Sequence, residues 1–127
     1  MQSNIGLNLL YVEDNSDLRE SISAALMGEG YDVDVAECAG EGLQRLKERR
    51  FHLVISDYAL PDHTGTWMLR QAAASGLLDR TGTLIVTANP HPEDTGEIPV
   101  LHKPLDVGQL LAWIEQRLRM ARPNGEK

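Results

Sequence analysis

Residues 7–17 read LNLLYVEDNSD, and this stretch decides the fold of the chain. Residues 7–12 are mostly apolar, and so short a run suits a strand that is buried on both faces. The run ends at two acids, Glu13 and Asp14. From Leu18 onwards the apolar residues recur with a helical period. The stretch therefore predicts a buried strand, an acidic loop and a helix, in that order.

The same order of strand and helix recurs along the chain. Asp17 with Glu20 is expected to cap the first helix, and Gly28 or Gly30 is expected to end it. Further strands are predicted at residues 31–35, 51–56, 83–87 and 99–102, and further helical stripes begin at Ala39, Trp67 and Val107. Such alternation implies βαβ crossovers. The sequence thus predicts an α/β fold, with a doubly wound five-stranded parallel sheet and helices on both faces.

The composition is that of one globular domain. The chain has 127 residues, of which 42% are hydrophobic and 24% are charged, and this length suits a single domain. The last residues are polar and include a proline and a glycine. We therefore expect the domain to cover residues 1–121 and a disordered tail to follow at residues 122–127.

Charge and cysteine content bear on partners and compartment. The formal net charge is −7, whereas a nucleic-acid surface needs a basic patch, so no direct nucleic-acid binding is expected. The absence of a long apolar run and of a basic leader argues against a membrane span and a secretory signal. Cys38 is the one cysteine and fits a reducing compartment, so a cytoplasmic location is expected.

Three acids fall at the carboxyl ends of two predicted strands. Glu13 and Asp14 follow the first strand, and Asp57 follows the third. In a doubly wound sheet these strand ends form the edge where ligands bind. Three like charges in one pocket need a cation among them, and a hard divalent ion with oxygen ligands meets that need. The sequence therefore predicts a magnesium site made by these acids.

Two other side chains indicate phosphoryl chemistry at the same edge. Thr87 ends the fourth strand with a hydroxyl, and Lys103 ends the fifth with an ammonium, directly before Pro104. A hydroxyl, an ammonium and a metal ion around a carboxylate can cradle a transferring phosphoryl group, because that chemistry needs mainly positioning and charge neutralisation. The carboxylate itself can be the nucleophile, which would give an aspartyl phosphate at Asp57.

Together these motifs resemble the receiver domains of two-component response regulators, over nearly the whole chain. The motifs are the pair Glu13-Asp14, Asp57, the turn Leu60-Pro61-Asp62 with Gly65, the pair Thr87-Ala88 and the pair Lys103-Pro104. The resemblance implies the flavodoxin-like strand order 2-1-3-4-5. It also implies a cis peptide bond between Lys103 and Pro104.

The resemblance assigns a role to each matching residue. Asp57 matches the phosphoacceptor; Glu13, Asp14, Asp57 and the backbone carbonyl of Ala59 match the metal ligands; and Thr87, Ala88 and Lys103 match the groups that bind the phosphoryl group and switch. The implied cofactor is Mg²⁺. The implied partners are a histidine kinase or a histidine phosphotransfer protein, and an unknown downstream protein.

Two positions depart from the family's usual pattern. An aromatic switch residue usually stands three positions before the lysine, where this chain has Val100. Residues 88–98 contain two prolines, a glycine and three acids, and beyond Ala88 their one clear hydrophobe is Ile98. Such a segment has no apolar stripe to hold a helix on the sheet. We expect a shortened or missing fourth helix, and Val100 becomes the candidate switch position.

The leading interpretation is a phosphorylation-dependent signalling switch. Such a domain catalyses only its own phosphoryl transfer and a slow autodephosphorylation, so it is not expected to turn over an external substrate. The chain is interpreted either as a free-standing regulator or as the receiver of a larger protein, such as a hybrid histidine kinase.

Two alternatives stay open on the sequence. A pseudo-receiver would keep the fold as a phosphorylation-independent interaction module, although the acceptor, the metal acids and the lysine are all in place. An aspartate-nucleophile phosphohydrolase would normally carry a second Asp two residues after the nucleophile, where this chain has Ala59, and a cap over the site.

Overall fold

The computed structural model describes residues 6–121, which form a parallel sheet with helices on both faces. The strands are β1 (Asn8–Val12), β2 (Asp32–Ala36), β3 (Leu53–Asp57), β4 (Gly82–Thr87) and β5 (Val100–His102). The helices are α1 (Ser16–Gly28), α2 (Ala39–Glu48), α3 (Gly65–Ala74) and α4 (Val107–Ala121). Each predicted strand is therefore present, with its ends displaced by one or two residues at most.

The sheet has the strand order β2-β1-β3-β4-β5, and every neighbouring pair runs parallel. This order confirms the predicted doubly wound architecture. Val12 of β1 pairs with Ser56 of β3, so these two neighbouring strands end side by side. The residues that follow β1 and β3 consequently lie at one edge.

Strand β1 is buried on both faces, as its apolar sequence predicts. Leu9 and Tyr11 pack into the cluster beneath α1 and α4, whereas Leu10 and Val12 pack into the cluster beneath α2 and α3. All four side chains are buried. Burial on both faces is typical of an interior strand, and the position of β1 between β2 and β3 places its acidic loop next to the end of β3.

The start of α1 differs from the prediction. Asn15 is the N-cap residue, and its side-chain oxygen accepts the N–H of Leu18 at 2.9 Å. Asp17 already lies in the first helical turn. The prediction that Asp17 caps the helix is wrong because the cap must precede the helix in an extended conformation, which Asn15 adopts.

The stretch between β4 and β5, residues 88–99, contains no helix. We call it the β4–β5 segment. Its Ile98 and the following Val100 are half-buried against the α2 and α3 side of the core. The prediction that the fourth helix is shortened or missing is therefore confirmed, and α4 is the helix that follows β5.

Other predictions about the chain concern its peptide bonds, its membrane contacts and its tail. The Lys103–Pro104 bond is cis, as expected. Within residues 6–121, no helix combines the length and the apolar character that crossing a membrane requires. The tail predicted at residues 122–127 lies outside the described residues, so the domain boundary stays a prediction.

Candidate functional site

The three predicted acids meet at the carboxyl edge of the sheet. Glu13, Asp14 and Asp57 each place one carboxylate oxygen within 4.8 Å of the others. Glu13 is 1% exposed and Asp57 is 7% exposed, whereas Asp14 faces solvent. Two buried carboxylates and an exposed one thus form an open-sided, oxygen-lined cluster.

Lys103 supplies the positive charge of this cluster. Its Nζ lies 3.3 Å from Glu13 Oε1 and 3.3 Å from Asp57 Oδ2. Partial burial alone would lower the pKa of the ammonium, but the charges of Asp57 and Glu13 outweigh it and raise that pKa. The ammonium therefore stays charged and offsets the repulsion between the two buried carboxylates.

Glu13 is held from two further sides. The buried hydroxyl of Tyr11 donates to Oε1 at 3.4 Å, and the N–H of Asn15 donates to Oε2 at 3.2 Å. Burial, and then the nearby charge of Asp57, raises the pKa of Glu13; the bond from Asn15 and the ammonium of Lys103 act against that rise. Burial and Glu13 raise the pKa of Tyr11, so its hydroxyl remains a donor.

Tyr11 is a site residue that the sequence analysis missed. A signal was available, because side chains two residues apart on a strand share a face and Tyr11 stands two residues before Glu13. The apolar run of residues 7–12 hid it, since a tyrosine there is interpreted as core. Its ring does lie in the core, and only its hydroxyl reaches the site.

Thr87 and Lys103 lie side by side at the ends of β4 and β5. Thr87 is 3% exposed, and its carbonyl accepts the N–H of Lys103 at 2.8 Å. The Thr87 hydroxyl accepts the N–H of Asn89 at 3.0 Å. Ala88, between them, is exposed. Thr87 therefore belongs both to the rim of the site and to the start of the β4–β5 segment.

The loop from β3 to α3 carries Ala59, the predicted source of a carbonyl ligand. Ala59 forms an antiparallel bridge with Thr64, which closes the loop on itself. At its tip, the carboxylate of Asp62 accepts the N–H groups of Ala39 and Gly40, each at 2.9 Å. Asp62 thus fastens this loop to the first turn of α2, a role that the sequence analysis did not assign.

The hydrogen bonds to Asp62 change its acidity. Slight burial acts to raise its pKa, but the N–H groups of Gly40 and Ala39 and two of its own loop outweigh burial and lower the pKa to about 2. Anions are also favoured at a helix N-terminus by the helix dipole. The folded structure therefore stabilises the ionised carboxylate form of Asp62.

Gly65, the first residue of α3, allows the loop to pass close to the acceptor. A Cβ atom there would collide with the backbone carbonyl oxygen of Asp57 and would lie 2.7 Å from Ser56 Oγ. The N–H of Gly65 donates to the carbonyl of Tyr58 at 2.8 Å. Only glycine fits this approach, which explains the glycine in the motif.

The donor set of the acidic cluster suits a hard divalent cation. The side-chain donors are all carboxylate oxygens, and the exposed Asp14 leaves one side open to water. Magnesium prefers such sites, where a few carboxylates are completed by water. The cluster therefore fits a metal site, and Lys103 is the cation that neutralises it within the described contacts.

The fold and this cluster are those of a receiver domain, and comparison with known proteins places the chain in that class. Residues 9–115 match the response regulator receiver domain family. The chain belongs to this family, whose members act in two-component signal transduction.

Individual relatives agree with this assignment. The transcriptional regulatory protein DltR of Streptococcus agalactiae is 31% identical over 121 residues, which cover 91% of this chain and 53% of that protein. The response regulator receiver protein CpdR of Brucella abortus is 29% identical over 87% of this chain and 95% of its own length. A CheY-like receiver domain from Methanospirillum hungatei superposes with a TM-score of 0.83 at 29% identity, covering 91% of this chain and 95% of its own.

The chain spans about half the length of DltR. What the similarity covers is the receiver domain, so the activity and partners of a whole regulator are not transferred with it.

Proposed function

We propose that this domain is a phosphorylation-dependent signalling switch, in which Asp57 accepts a phosphoryl group from a histidine kinase or a histidine phosphotransfer protein. One observation carries the proposal. Asp57 is a buried carboxylate that shares one cluster with two further acids and with the ammonium of Lys103. A purely structural role would leave three acids together at a ligand-binding edge without a reason.

The transfer step follows from the position of Asp57. A carboxylate oxygen of Asp57 attacks phosphorus, the P–N bond of the donor's phosphohistidine breaks, and the imidazole nitrogen keeps the electron pair and takes up a proton. Glu13, Asp14, Asp57 and the carbonyl of Ala59 would hold Mg²⁺. When bound, this ion neutralises charge on the phosphoryl oxygens.

Three residues at the neighbouring strand ends would bind the phosphoryl group once it is on Asp57. Lys103 already contacts Asp57, so its ammonium can pair with phosphoryl oxygens on that residue. The hydroxyl of Thr87 and the backbone N–H of Ala88 stand at the end of β4, next to β3. Val100, the candidate switch position, lacks the ring and hydroxyl that an aromatic switch residue would have.

The reactions that we propose for the domain are confined to its own Asp57. It catalyses its own phosphorylation and slow autodephosphorylation, and it has no external substrate. The net charge of −7 disfavours direct binding of this domain to nucleic acid or to an anionic membrane surface. We place it in the cytoplasm, where histidine kinases present their phosphohistidine, with a downstream protein as its second partner.

The competing proposal is a pseudo-receiver that binds partners without phosphorylation. Val100 in place of an aromatic residue and the missing helix in residues 88–99 favour it. Against it, the acceptor, both metal acids and the lysine lie together in one cluster. A pseudo-receiver has no need of that arrangement.

Intact mass after treatment with acetyl phosphate distinguishes the two proposals. With Mg²⁺ the protein should gain one phosphoryl group, and Asp57→Asn should prevent the gain. Asp79→Asn, an exposed acid remote from the cluster, is the matched control and should be labelled like the parent. Equal labelling of the Asp57→Asn variant and the parent would show that Asp57 is not the phosphoacceptor. A folded parent that stays unlabelled with Mg²⁺ would favour the pseudo-receiver.

A further inference from the structure

Tyr58, the residue directly after the acceptor, connects the site to the β4–β5 segment. Its N–H donates to the carbonyl of Val86 at 2.9 Å, which continues the pairing of β3 with β4. Its hydroxyl accepts the N–H of Glu93 at 3.1 Å, across 35 positions of sequence. The ring is half-buried in the same cluster as Ile98 and Val100. One residue thus contacts both β4, the strand next to the acceptor's own, and the middle of the segment.

Arg70 of α3 makes a second connection next to the first. Its guanidinium donates to the backbone carbonyl of Asp94 at 2.9 Å and lies 3.9 Å from the Asp94 carboxylate. Because both side chains are exposed, the charge pair itself contributes little to stability. The bond to the carbonyl, however, fixes the backbone position beside Glu93.

The β4–β5 segment follows a specific path between these connections. At its start, the Thr87 hydroxyl accepts the N–H of Asn89, whose side chain accepts the N–H of His91. Asp94 and Gly96 have φ values of 63° and 55°, so the backbone turns at both. The segment is therefore held at its start by Thr87 and at Glu93 by Tyr58. Tyr58 directly follows Asp57, and Thr87 directly follows Val86, which is paired with Asp57.

We propose that Tyr58 is the positioning residue that fixes the β4–β5 segment and conveys phosphorylation of Asp57 to it. The relay half of this inference rests on the proposed function. Tyr58 is bonded covalently to the acceptor, so a shift of the Asp57 backbone displaces it directly. A response also needs an element with two arrangements, and a segment that is attached by only a few hydrogen bonds provides one. Tyr58 supplies an aromatic hydroxyl on this side of the sheet, where Val100 supplies none.

The first test concerns the attachment and uses unphosphorylated protein. In Tyr58→Phe the amide of Glu93 loses its acceptor, and its protection from hydrogen exchange, measured by NMR, should fall about three- to tenfold. Arg70→Ala should lower protection in the same segment. Arg119→Ala, an exposed arginine on α4 paired with Glu115, is the matched control and should change nothing there. Unchanged protection at Glu93 in Tyr58→Phe would refute the attachment.

The second test concerns the relay. Beryllofluoride with Mg²⁺, a stand-in for the phosphoryl group, should alter exchange across residues 88–99 in the parent, and Tyr58→Phe should lose at least half of that change. Phosphorylation of Asp57 by acetyl phosphate should persist in the variant, which a merely unfolded protein would not show. An equal response in parent and variant, or no response in a parent that binds beryllofluoride, would refute the relay. If the parent neither binds beryllofluoride nor is phosphorylated by acetyl phosphate, the proposed function and the relay both fail. The attachment of the segment by Tyr58 is decided by the first test alone.

Discussion

Lys103 contacts two carboxylates that would otherwise repel each other, and it competes with any cation for the same oxygens. In Lys103→Ala we expect Mg²⁺ affinity to rise about three- to tenfold, because the competing charge is gone. The circular dichroism spectrum should stay close to native, and the response of a partner or of the β4–β5 segment to phosphorylation should be lost. Calorimetric titration measures the affinity, with Lys47→Ala on α2 as the control. A variant that unfolds would show that Lys103 is structural.

Asp14 is the exposed member of the acidic cluster, so its removal disturbs the core least. Asp14→Ala should reduce Mg²⁺ affinity about tenfold or more and slow phosphorylation, since a carboxylate ligand is lost. The metal-free protein should become more stable by up to about 1 kcal/mol, because repulsion from Glu13 and Asp57 falls. Tryptophan fluorescence during Mg²⁺ titration and urea unfolding test these two effects. Unchanged affinity would remove Asp14 from the ligand set.

At the scale of elements, Asp62 couples the β3–α3 loop to α2 through the N–H groups of Ala39 and Gly40. Its folded-state pKa is about 2, below the ordinary value of 3.8. The stability that this carboxylate contributes is therefore fully present above about pH 4 and is lost as the pH falls through about 2. At neutral pH, Asp62→Asn should cost at most about 1 kcal/mol, because the group is exposed.

Urea unfolding of the parent and of Asp62→Asn, followed from neutral pH down to about pH 2, tests this coupling. The stability difference between them should shrink in the acid part of that range. Asp79→Asn makes the same change of charge at an exposed position and should show no such convergence. A difference that stays constant across the whole range would contradict the role of the Asp62 carboxylate.

For the whole molecule, the missing helix changes the surface on the β5 side of the sheet. The resemblance to response regulator receivers implies a face made of the fourth helix, the fifth strand and the last helix that changes on phosphorylation and often pairs two subunits. Here that face has the β4–β5 segment, which carries exposed acids, in place of a helix. We expect the domain not to form the usual symmetric dimer through this face. Sedimentation velocity with and without beryllofluoride tests this, and an induced dimer that buries α4 would contradict it.

Much of the fold was open to prediction because its signals are local. The apolar run of residues 7–12, bounded by acids, marks a strand by length and composition alone, and the helical stripe of α4 is equally local. The lack of an apolar stripe in residues 88–98 likewise predicted that the fourth helix is shortened or missing. The alternation of strands and helices then constrained the sheet to parallel crossovers, which brought Glu13, Asp14 and Asp57 to one edge.

The sequence by itself determined the alternation of strands and helices and the three acids of the cluster, because strand ends in a parallel sheet meet at one edge; the strand order was implied by the resemblance to receiver domains. The tertiary structure alone decided which distant groups hydrogen-bond. Tyr58 to Glu93 and Asp62 to Ala39 join residues far apart in sequence, and each bond depends on how two elements pack against each other. Periodicity reports which face a residue occupies and carries no information about its partner across space.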